Sequence, residues 1–160
     1  MDKNKAVIEY LVTCPSIVES PLFFNYGEAF DGNSQFNTIA TDKRTNVHFI
    51  DGSVKKVFTF TLIWYKQIAH RAIIEDEEDE NMETVLDIQS VVDWVETQND
   101  NRNFPDFGKN CEIDSIQALT DQPNLNSVDR SSTPALAKYS ISIRIEYIDT
   151  SKRIWNVEGD

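Results

Sequence analysis

The chain has 160 residues, 40% of them hydrophobic and 26% charged, with a formal net charge of -12 and a sequence pI near 4.5. That length is enough to bury a core without covalent staples, and so acidic a balance argues against a protein that grips nucleic acid through its phosphates. Cys14 and Cys111 are the only cysteines, and the start M-D-K-N-K-A-V-I-E-Y-L-V-T is too polar for a signal peptide. With no apolar run near the ~20 residues a bilayer needs, the expectation is a soluble chain made in the cytoplasm with reduced thiols.

Residues 1–150 read as one α+β domain: a mostly antiparallel β-sheet with a β-hairpin, flanked by an N-terminal helix and one longer helix. Residues 151–160 form a polar C-terminal tail. Asp2 is placed to cap a short helix whose apolar stripe is Ala6, Val7, Tyr10 and Leu11, ended by Cys14-Pro15. From Ser20 to Arg44 the periodicity is lost among Pro21, Gly27 and Gly32, while Phe23, Phe24, Tyr26, Phe30 and Phe36 accumulate. This predicts an ordered loop that can include a short strand, its aromatics serving either as core plugs or as contacts for a partner.

Asn46 to Ile50, then Asp51-Gly52, then Ser53 to Gln67 predicts a tight hairpin, because glycine accepts the positive φ such a turn needs. The second arm contains V-F-T-F-T-L-I-W-Y, the stretch around which the chain is organised. Phe58, Phe60, Leu62 and Trp64 alternate with Thr59, Thr61, Ile63 and Tyr65, so both faces want cover. A helix suits the first face; the second suits partial burial against another element or another subunit. Lys55 and Lys56 beside the turn either keep the hairpin tip solvated or give an acidic protein a basic contact.

The run Glu75, Asp76, Glu77, Glu78, Asp79 and Glu80 repels itself and reads as an exposed loop, partly explained by the positive end of the helix that follows. In that helix Met82, Val85, Ile88, Val92 and Val95 recur at helical spacing, with Leu86 and Trp94 beside the stripe. Asn81 is placed to cap it, and an end is expected near Gln98. Cys111 to Thr120 carries Ile113 and Ile116 out of strict alternation, as in a bulged strand. Lys138 to Ile148 alternates cleanly as a half-buried antiparallel strand. Between them Asp121 to Leu136 reads as a long connection of the kind that is functional or mobile. After Thr150 the tail is polar apart from Ile154, Trp155 and Val157, and is either loose or docked on a neighbour.

Neither His48 nor His70 has a local serine or cysteine to form a nucleophile-base pair, and phosphate-loop and zinc-ligand motifs are absent. The acidic run lacks the alternating ligands and turn glycine of a calcium loop, and neither histidine has ligand spacing to it. No catalytic, cofactor-binding or metal residues are therefore assigned.

The order of elements, with D-G-S-V-K-K-V-F-T-F-T-L, N-M-E-T-V-L-D-I-Q-S-V-V-D-W-V-E-T-Q-N, N-F-P-D-F-G, I-D-S-I-Q-A-L-T and A-K-Y-S-I-S-I-R-I-E-Y-I, resembles the tail terminator (minor capsid) proteins of tailed bacteriophages, from Met1 to about Ile148. The departures are a longer acidic block and an enlarged Asp121 to Leu136 connection. The resemblance implies a homo-hexameric ring, without enzymatic activity, at the head-proximal end of the virion's tail. Such a ring ends tail-tube growth, joins tail to head connector, meets a tail sheath where there is one, and lets DNA pass without holding it. It makes Phe30, Phe36, Lys55, Lys56, Ile63 and Tyr65 candidates for inter-subunit or tube contacts, and Glu75 to Glu80 candidates for the channel or tube interface. Two other classes are a monomeric acidic binding module or assembly chaperone, and a metal-dependent hydrolase using the acidic run.

Overall fold

A computed structural model of the chain describes residues 2–18, 22–25, 32–67, 80–129 and 135–154. Asp2 precedes the first helix, α1 (Lys3–Leu11), and its carboxylate accepts from the amides of Asn4 at 3.0 Å and Lys5 at 3.4 Å. Those are donors that a first helical turn leaves without partners. Ala6, Val7, Tyr10 and Leu11 are its buried residues, as their spacing predicts. Pro15, whose fixed φ suits a first helical position, then opens a single turn, α2 (Pro15–Val18).

The described strands are β1 (Leu22–Phe24), β2 (Ser34–Ile39), β3 (Val47–His48), β4 (Val54–Gln67), β5 (Cys111–Ala118), β6 (Asn124–Asp129) and β7 (Leu136–Asp149), all in one sheet. β4 and β7 are antiparallel and pair over their full 14-residue lengths, from Val54 opposite Asp149 to Gln67 opposite Leu136. Each long strand carries two shorter ones end to end along its outer edge: β2 and β3 on β4, β5 and β6 on β7. β1 joins β2 in parallel, the one parallel pairing among otherwise antiparallel ones.

Phe60, Leu62 and Trp64 of β4 and Tyr139, Ile141, Ile143, Ile145 and Tyr147 of β7 share one face, and all are buried. Val7 and Leu11 of α1, Ile17 of α2, and Ile88, Val91, Val92 and Val95 of α3 (Glu80–Asp100) join the same cluster. The described helices therefore cover this face, which the alternate residues Phe58 to Trp64 of β4 and Tyr139 to Tyr147 of β7 present to them. α3 begins one residue before the expected cap, so Asn81 lies inside it. It runs two residues past Gln98 and closes on Arg102, which takes the left-handed conformation at φ 54. There the Asn103 amide donates to the Gln98 carbonyl at 2.9 Å and the Arg102 amide to the Asn99 carbonyl at 3.1 Å. These two bonds satisfy carbonyls that the last helical turn leaves open.

Four expectations are corrected. The segment before Arg44 holds two described strands, because β2 takes its partners from the backbone of β4 and needs no alternation of its own. The long connection before Leu136 contains β6, a largely exposed edge strand recruited by the spare edge of β7. The hairpin tip is a three-residue loop, Ile50-Asp51-Gly52, in which only Gly52 has positive φ. That is the turn-plus-bulge form, since a two-residue turn of the favoured type needs positive φ at both positions. Residues 151–154, expected as tail, dock on that tip: Arg153 Nε meets Asp51 Oδ2 at 3.1 Å and the Ile154 amide donates to the Asp51 carbonyl at 2.7 Å. The bulge expected in β5 lies between Ile113 and Ser115. Cys14 and Cys111 are both free thiols, and burial pushes the pKa of each up.

Candidate interaction surface

The sheet's second face is built from the alternate residues of the same strands. At one end the bulge in β5 turns Asp114 toward β4, and Lys55 Nζ lies 3.5 Å from Asp114 Oδ2 and 3.3 Å from Glu146 Oε2. Arg144 Nη2 meets the other oxygen of Glu146 at 2.8 Å. The Glu146 carboxylate, as hydrogen-bond partner and as charge, raises the Lys55 pKa above its ordinary value. In the middle, Thr61 Oγ1 and Ser142 Oγ share a hydrogen bond of 3.0 Å between directly opposed residues. At the far end Ile63 lies between Gln35 of β2 and Ser140 of β7, both buried. Gln35 Nε2 donates to the Asn25 carbonyl at 3.0 Å, and Ser140 Oγ to Asn126 Oδ1 at 2.8 Å.

Val57, Thr59, Thr61 and Tyr65 remain half-buried, so the face is neither core nor fully solvated. It carries short hydroxyl and aliphatic side chains in register, bordered by the Lys55, Asp114, Glu146 and Arg144 charge cluster.

The residues singled out from the sequence fall in different places. Phe36 is no surface contact: it is 0% exposed on the inward side of β2, stacked between Phe24 at 5.8 Å and Phe60 at 4.9 Å. Ile63 is on the second face as expected but only 5% exposed, because Gln35 and Ser140 flank it at the same level. Tyr65 is half-buried, and its amide donates to the Asn33 carbonyl at 3.0 Å. Lys55 and Lys56 do not merely solvate the tip: Lys55 joins the charge cluster, and Lys56 Nζ lies 3.0 Å from Asp149 Oδ2. Phe30, His70 and residues 75–79 lie outside the described residues; Glu80 is the first residue of α3. Asp114, Glu146, Arg144 and Ser142 were missed because cross-strand neighbours follow from register, which no local pattern fixes. The long alternation in both central strands was the available signal.

Among the described residues no group of three or more His, Cys, Asp and Glu is placed to hold a metal ion. None of the described helices is long and apolar enough to cross a membrane. No protein-family model matches the chain, and no curated protein is significantly similar to it.

Proposed function

We propose that this chain is a structural protein of a tailed bacteriophage, which closes the tail tube as a homo-hexameric ring, ends its growth and joins the tail to the head connector. It carries out no reaction. Support comes from the motif order described above and from one structural observation: helices cover one face of the sheet, while Val57, Thr59, Thr61 and Tyr65 on the other stay half-buried. A second copy shelters such a face at little cost, since its threonines already have local hydrogen-bond partners or can find them at a rim. DNA passes through the ring without being held, consistent with a net charge of -12.

The alternative is a monomeric acidic binding module or assembly chaperone. It draws on the pairing of Lys55 with Glu146 and Asp114 within the chain and on the burial of Ile63, which reduce what a neighbour must shelter. Sizing of the purified protein, followed by electron microscopy with assembled tail tubes, separates the two. A ring of about six copies seated on the tube end is expected. A monomer at every concentration, with bare tube ends, removes the proposal.

A further inference from the structure

A cleft of about 180 Å³ lies between the β3–β4 hairpin, the single 3-10 turn Lys43–Thr45 and the docked segment after β7. At about 30 Å³ per water this is room for a small ion and its nearest waters. Lys43, Lys56, Lys152 and His48 are among the residues that line it, and Asp149 is the one acidic residue among them. Asp149 is matched to Lys56 at 3.0 Å. Burial works against its charge, but hydrogen bonds from Ser151 and the Lys56 ammonium outweigh it and hold its pKa at about 2. Lys43 and Lys152 have no carboxylate partner among the described residues. On a chain of net charge -12, the fold thus gathers lysines from three separate elements, two of them with no ion pair to a described carboxylate.

The walls are fixed. Gly52 packs its α-carbon against the Lys152 carbonyl, Arg153 is tied to Asp51, and Thr150 donates its amide to the Asn110 carbonyl at 2.8 Å. Cationic residues gathered around one cleft favour an anion there. We propose that this cleft binds a phosphate group, free or as a monoester, through Lys43 and Lys152, with Asn46 and His48 in its wall. A nucleic-acid duplex is a poor fit, because the acidic remainder of the chain repels a continuous backbone.

The test titrates the full chain with inorganic phosphate and, separately, with phosphoserine, against sodium chloride at matched ionic strength, reading backbone amide shifts. Saturable shifts confined to Gly52, Ser53, Ser151 and Lys152 are expected, with millimolar affinity. Equal affinities identify a site for the bare group, and tighter phosphoserine binding identifies one for a monoester. Lys43→Gln with Lys152→Gln should weaken binding at least tenfold, and Lys43→Gln alone should weaken it part-way; both side chains are exposed, so amide spectra away from the cleft should be unchanged. Linear drift equal to that in chloride, or undiminished binding by the double variant, overturns the proposal.

Discussion

Gly52 carries two constraints at once. Its φ is +89, and a Cβ added there would lie 2.2 Å from the Lys152 carbonyl oxygen; Gly32, at φ +85, has nothing within 4 Å of the same position. Gly32→Ala should therefore cost only the backbone term, about 1 to 2 kcal/mol, and Gly52→Ala about 2 to 4 kcal/mol once displacement of backbone is added. Urea unfolding of the two variants measures the difference, and equal losses would show that docking of residues 151–154 adds nothing. Asp149 gives a prediction in pH. Its folded pKa of about 2 lies below the ordinary carboxylate value, so its stabilising effect is complete above about pH 5. It declines as pH falls from about 4 toward 2, where the unfolded and then the folded carboxyl takes up a proton. The stability advantage of the native chain over Asp149→Asn should follow that course in denaturant titrations at stepped pH; an advantage that grows on acidification contradicts it.

Edges are where strands of this fold need defence. β5 pairs on one side with β7, and on the other the Ile116 amide donates to Asn99 Oδ1 of α3 at 3.0 Å. A helix side chain thus occupies a donor that an edge strand would otherwise present to another chain. Asn99→Ala should cost about 1 kcal/mol and speed hydrogen exchange at Ile116 more than at Ile145, its partner on β7; uniform acceleration across both would mean general loosening instead. The second face of β4 makes the opposite case. Thr61→Arg forfeits one hydroxyl pair, about 1 kcal/mol, yet places a charge in the middle of the surface proposed for subunit contact. Assembly should be lost on sizing while the monomer stays folded by circular dichroism; intact rings would move the contact elsewhere.

At the scale of the molecule, two antiparallel 14-residue strands form an axis, each edged by a pair of shorter strands, with helices on one side. The N-terminal helix with its cap and stripe, the body of α3, the inward face of β4, the bulge in β5 and the alternation of β7 were legible from residue order. Each is governed by neighbours one to four positions away, where period and capping chemistry operate. Phe36 was legible as a candidate aromatic but not as core, since its burial depends on the register of β2 against β4. β2 and β6 left little trace, being short and held by hydrogen bonds to strands already formed. The cleft at the hairpin left none: Lys43, Lys56 and Lys152 span 109 positions of sequence and meet only when the segment after β7 folds back onto the turn. Sequence by itself determined α1, α3 and the two long strands, and which side of each seeks the core, because those are short-range matters of spacing and sterics. Tertiary structure alone decided which polar groups face one another, because that rests on strand register and on the return of the chain's end, and both are set by long-range pairing.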